Sequence, residues 1–132
     1  MMILVTGGAF QGKTTYIRQN LLGTNNKNIV DGNIWDPARD PEPSTVDHLE
    51  SFIRNRLEIG ESKEEILQTL LFVARKNPDI IWEIREIGCG IVPMDPMERK
   101  WRESTGRIGC ELAKEAGQVY RVCSGIGVRI KG

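Results

Sequence analysis

Eight consecutive residues near the amino terminus, Gly7-Gly8-Ala9-Phe10-Gln11-Gly12-Lys13-Thr14, constrain this chain more than any other feature. They follow the pattern G-x-x-x-x-G-K-[ST] in full. The glycines let the backbone turn tightly, so that consecutive amides converge on one concavity suited to the β- and γ-phosphates of a nucleotide. Lys13 stands where an ammonium reaches those phosphates. Thr14 stands where a hydroxyl can ligate Mg²⁺, and Thr15 follows it in the same cradle. Such a loop needs a strand before it and a helix after it. Residues 2–6 (MILVT) are a short apolar run bounded by glycines, the pattern of a fully buried strand, and a helix is expected over about 13–22. That helix would direct its N-terminal dipole at the bound anion. The alternative, a glycine-rich turn that merely joins strand and helix, would have to match the whole motif in this context by chance.

The rest of the chain alternates in the same way. Ile29-Val30 before Asp31 predicts a short second strand, and residues 36–44 (DPARDPEPS), with three prolines, predict an irregular loop. Thr45 is expected to cap a helix running to about Leu57, with Val46, Leu49, Phe52, Ile53 and Leu57 on one face and Gly60 ending it. Ser62 and Glu65 form a capping box that opens a helix to about Lys76. Asn77-Pro78 stops it, and 80–84 reads as the third strand. Gly88, Gly90 and Pro93 make another loop, after which Asp95 as N-cap, Pro96 at the first helical position and Glu98 start a helix to about Ala116. Residues 119–123 and 126–130 flank Ser124-Gly125, predicting a final strand pair around a tight turn. The expected fold is therefore α/β, a mainly parallel sheet flanked by helices with an antiparallel C-terminal strand, in a single domain over 1–132.

Composition narrows the partners. Lys plus Arg and Asp plus Glu number 18 each, so no global field points to nucleic acid or to an acidic membrane surface. No apolar stretch approaches membrane-spanning length, and the apolar start lacks a basic flank, so it reads as a strand rather than a signal peptide. Cys89, Cys110 and Cys123 form no metal-binding or disulfide spacing; each is expected to be a small buried hydrophobe in a reducing, cytoplasmic setting.

A phosphate-binding loop also calls for a carboxylate at a neighbouring strand end to hold Mg²⁺. Asp31, after the second strand, is the better placed; Glu86, after the third, is the second choice. Alone, each is equally consistent with a solvated strand-end charge. His48, the only histidine, reads as a helix-surface residue, and Trp82 and Trp101 read as core.

At this point a resemblance enters. MILVTGGAFQGKT, with Glu86, Gly88, Gly90, Ile91, Val92, Pro93, Arg99, Arg102, Gly106, Arg107, Ala113, Ala116, Val119, Tyr120, Val122, Gly125 and Lys131, resembles the bifunctional adenosylcobinamide kinase / adenosylcobinamide-phosphate guanylyltransferase family. The likeness covers residues 1–15 and about 85–131, and NIVDGNIWD places Asp31 on the family's aspartate. The resemblance implies a RecA-like P-loop domain that assembles into a trimer, phosphorylates a corrinoid alcohol with ATP or GTP and Mg²⁺, and then attaches GMP through a guanylylated histidine. The family segment carrying that histidine is missing between residues 21 and 28, and His48 lies in a different context, so guanylyl transfer is expected to be absent. Phe10-Gln11 replaces the usual Arg-Ser and Arg85 the usual asparagine.

The expected function is thus a nucleoside-triphosphate-dependent kinase of the adenosylcobinamide kinase type. In it Lys13 neutralises the transferred phosphoryl group, Thr14 and Asp31 hold Mg²⁺, and Glu86 orients or deprotonates the acceptor hydroxyl. Two alternatives stay open: a catalytically inactive nucleotide-binding module, and a kinase for another small alcohol.

Overall fold

The apolar run at the amino terminus becomes the middle of a sheet. In the computed structural model, which describes residues 1–8, 11–22, 28–87 and 95–132, Ile3–Gly7 forms β1. The expectations for Ala9, Phe10, Gly23, Gly88, Cys89, Gly90 and Pro93 lie outside the described residues. After β1 comes α1 (Lys13–Tyr16), continued by a wider π-helical turn over Ile17–Leu21. Then follow β2 (Ile29–Asp31), β3 (Thr45–Asp47), α2 (Leu49–Glu58), α3 (Lys63–Lys76), β4 (Ile81–Arg85), α4 (Pro96–Glu115), β5 (Gln118–Cys123) and β6 (Ile126–Lys131).

Among the described residues the strands form one six-stranded sheet in the order β2-β3-β4-β1-β5-β6. β1 lies parallel between β4 and β5, with Ile3 opposite Ile81 and Gln118. β2, β3 and β4 are also parallel, while β5 and β6 are antiparallel. Alternation along the strands sends side chains to two faces. Leu4, Trp82, Ile84 and Val119 pack with the apolar stripes of α2, α3 and α4. Val5, Ile81 and Val122 pack with Ile17 behind α1. The architecture is thus α/β with a mostly parallel sheet and one antiparallel pair, as the alternating pattern predicts.

Local signals explain the helix starts. Ser62 accepts from the Glu65 amide while Glu65 reaches back to the Ser62 amide, and Asp95 accepts from the Met97 amide with proline at the first helical position. Ser124 and Gly125 both take positive φ, 50° and 77°, as a two-residue hairpin turn requires. Trp82 and Trp101 are buried. No helix among the described residues is long and apolar enough to cross a membrane.

Two expectations need correction. Thr45 does not cap a helix: residues 45–47 are a buried strand, and α2 begins only at Leu49 with His48 as its N-cap in left-handed geometry. Val46 lies three residues before Leu49 and so extends the helical apolar spacing by a false turn. The segment instead pairs as a strand between β2 and β4, where β-branched Thr45 and Val46 suit the extended backbone. Cys110 and Cys123 are exposed rather than buried, the latter because it ends β5 beside the hairpin turn.

Candidate nucleotide-binding site

The parallel strands all point their carboxyl ends at one edge of the sheet, where ligands of open α/β sheets bind. Gly7, Asp31, Asp47 and Arg85 are the last residues of β1, β2, β3 and β4. Gly7 has φ 152°, and a Cβ there would clash with the Val122 carbonyl oxygen, so the loop must leave β1 through a glycine. Gly12, at φ 81°, packs its backbone on Gly125, where an added Cβ would meet the Gly125 Cα at 3.3 Å. Gln11 ties the loop to the β5–β6 turn twice. Its carbonyl accepts the Gly125 N–H at 2.8 Å, and its side-chain oxygen accepts the Ser124 N–H at 2.6 Å.

Lys13 opens α1 and is buried, its ammonium donating to the Gly8 carbonyl at 2.7 Å. The same ammonium lies 3.4 Å from a carboxylate oxygen of Glu83, the central residue of β4. The second Glu83 oxygen accepts the backbone N–H of His48 at 2.6 Å. Burial pushes the Glu83 carboxyl above the usual range; the His48 amide and Lys13 oppose this, while Glu50 and Asp47 add to it.

Thr14 donates its hydroxyl to Asp47 at 3.3 Å. Burial raises the Asp47 carboxyl too, against the pull of His48, the Thr14 hydroxyl and Arg18. Its other oxygen, Oδ1, is buried and has no hydrogen-bond partner among the described residues. An orphaned carboxylate oxygen beside a threonine hydroxyl, both hard oxygen donors, fits a Mg²⁺ that brings its remaining ligands as phosphate and water.

The residues expected from sequence divide at this edge. Lys13 and Thr14 meet carboxylates directly, and Thr15 is exposed beside them. Asp31 reaches the same edge but pairs with the His48 ring at 3.3 Å and accepts the Asn33 amide at 2.9 Å. The carboxylate on Thr14 is Asp47. Glu86 lies just past β4; its amide donates to the Gly7 carbonyl at 2.8 Å, and its carboxylate holds Arg121 of β5 through two bonds of 2.9 and 3.2 Å. Asp47, His48 and Glu83 escaped sequence reasoning. For Glu83 a signal existed: a carboxylate inside the apolar run of 80–84, next to a phosphate loop, rarely stays buried without a partner.

Comparison with known proteins agrees with the resemblance. The family model described as cobinamide kinase / cobinamide phosphate guanyltransferase matches residues 30–130. The bifunctional adenosylcobalamin biosynthesis protein CobU of Escherichia coli (strain K12) is 38% identical over 66 residues, 49% of this chain and 36% of that protein. The protein of the same name from Salmonella typhimurium (strain LT2) is 36% identical over 69 residues, 52% of this chain and 38% of that protein. The matched stretch thus spans less than half the length of these curated relatives.

Proposed function

The chain belongs to the cobinamide kinase / cobinamide phosphate guanyltransferase family, and from that premise we propose that it is a nucleoside-triphosphate-dependent kinase. In this reading the domain is a P-loop NTPase of the RecA-like type, and its acceptor is a corrinoid alcohol. The observation that carries the reading is the pairing of a complete phosphate loop with a buried carboxylate on its threonine: Lys13, Thr14 and Asp47 stand together at the carboxyl edge.

Phosphoryl transfer depends chiefly on positioning and on neutralising the charge spread over the phosphate oxygens. Lys13 supplies that charge at the terminal phosphates, and the loop amides orient the chain of phosphates between them. Thr14 and Asp47 would hold Mg²⁺, with Asp47 taking the place that sequence gave to Asp31. Magnesium, when bound with nucleotide, adds neutralising charge on the phosphate oxygens. Glu86, fixed by Arg121 beside Gly7, is assigned to orient the attacking hydroxyl. The hydroxyl oxygen then bonds to the terminal phosphorus as the bond from that phosphorus to the β–γ bridging oxygen breaks, the nucleoside diphosphate leaves, and the hydroxyl proton passes to Glu86.

The same reading has no guanylyl transfer. His48 backs onto Glu83 and Asp31 at the turn after β3, a setting unlike the family's histidine segment. Incubation with GTP followed by mass spectrometry should give no GMP adduct on His48; an adduct there would restore the second reaction. The kinase itself is tested with adenosylcobinamide and ATP or GTP, beside calorimetric titration of the nucleotide. Phosphorylated product confirms the acceptor. Magnesium-dependent binding without transfer to any alcohol would leave a binding module instead.

A further inference from the structure

The middle of a buried parallel strand is an unfavourable place for a carboxylate, because desolvation penalises its charge. Glu83 occupies that place at 2% exposure, between Trp82 and Ile84 and opposite Val5 of β1. Each of its oxygens serves a different element. One faces the ammonium of Lys13, and the other takes the amide of His48 at the start of α2. His48 is held in the left-handed region, φ 52° and ψ 48°, directly after Asp47. The carboxylate therefore anchors, on one side, the cation that must meet phosphate and, on the other, the turn that carries the carboxylate facing Thr14.

A buried ammonium needs an anion. We infer that Glu83 is the resident counter-anion of the phosphate site, a positioning residue that neutralises Lys13 until the terminal phosphates of a nucleotide compete for it. This rests on the reading of the loop as a triphosphate site, though on no particular acceptor. Lys13 is already coordinated by Gly8 and Glu83, so phosphate gains only the difference between its own attraction and that of the carboxylate. The negative charge beneath the loop also repels the incoming polyanion. Glu83 thereby holds nucleotide affinity below what the loop and Lys13 would give by themselves, in return for a preset lysine and a preset β3–α2 turn.

The two roles predict opposite outcomes for one substitution. If Glu83 only supports the fold, Glu83→Gln weakens nucleotide binding or leaves it unchanged. If it is the competing anion, Glu83→Gln tightens binding, because the amide keeps an acceptor for one neighbour and loses the charge. Calorimetric titration of wild type and E83Q with magnesium and ATP, and again with GTP, without acceptor, measures this. The expected result is about tenfold tighter binding by E83Q, the scale of one unit charge removed at short range in a partly screened site. A folded E83Q that binds no more tightly than wild type overturns the inference while leaving the kinase reading intact. A wild-type chain that binds neither nucleotide overturns both. Should E83Q be unfolded alone, E83D, which keeps the charge but draws it back from Lys13, decides. Tighter ATP binding than wild type supports the inference, and a folded E83D that binds no more tightly overturns it.

Discussion

At the scale of single residues the carboxyl edge concentrates groups that oppose stability. Asp47 is 8% exposed, and one of its oxygens has no hydrogen-bond partner among the described residues. Its folded-state carboxyl is raised above the ordinary 3.8, chiefly by burial. Below that ordinary value the group is neutral both folded and unfolded. As pH rises through the raised folded value, the folded state must accept a buried charge and stability is lost. Asp47→Asn removes that charge and keeps an oxygen for the Thr14 hydroxyl. Urea unfolding should therefore show D47N more stable than wild type by about 1 kcal/mol at pH 7, the usual scale when a functional-site group is neutralised. The gap should shrink towards nothing as pH falls to about 4. Phosphoryl transfer by D47N should fall by about a hundredfold, since the proposed magnesium ligand is gone. A variant less stable than wild type at pH 7 would show that Asp47 is adequately solvated or paired after all.

At the scale of elements, Gln11, in the loop between β1 and α1, leans on the β5–β6 hairpin. The Gln11 side chain accepts the Ser124 amide, and its carbonyl the Gly125 amide. Gln11→Ala should cost about 1 kcal/mol of stability, one side-chain hydrogen bond to a backbone amide. It should also weaken ATP binding about threefold to tenfold, since the loop amides lose their brace. Calorimetry with hydrogen exchange at Ser124 checks both; unchanged affinity and unchanged exchange would mean that the loop holds its shape alone. This brace also marks how far the sequence could be read. The turn from β1 into α1, the capping box at Ser62, the Asp95 start and the Ser124-Gly125 turn were legible because each is a local pattern with a local cause. β3 was not, because Thr45-Val46-Asp47 is too short to show alternation and Val46 mimics the next helix. Asp47, Glu83 and His48 could not be grouped without knowing that β3 lies beside β4 and β4 beside β1. The Gln11 brace carries no local pattern, since its partner lies 113 residues away.

At the scale of the whole molecule, β1, β4 and β5 contribute side chains to both faces of the sheet, so neither face can open without exposing the other. The chain should therefore unfold in one cooperative transition, as small single domains do. The proposed phosphate site draws on β1, the β3–α2 turn, β4 and the β5–β6 turn, and a ligand there would bind only the folded state. Nucleotide at about a hundred times its dissociation constant should add about 2.7 kcal/mol. For a chain of this length that raises the melting temperature by roughly 10 °C. The shift should move the whole transition, by calorimetry or circular dichroism, and leave no unshifted part. Lys13→Ala should abolish it, measured against its own nucleotide-free baseline, because that baseline falls when Glu83 loses its ammonium. A K13A chain that keeps the full shift would place the nucleotide somewhere other than the loop. Two separate transitions, only one of them moved by ATP, would show that the sheet does not unfold as one body.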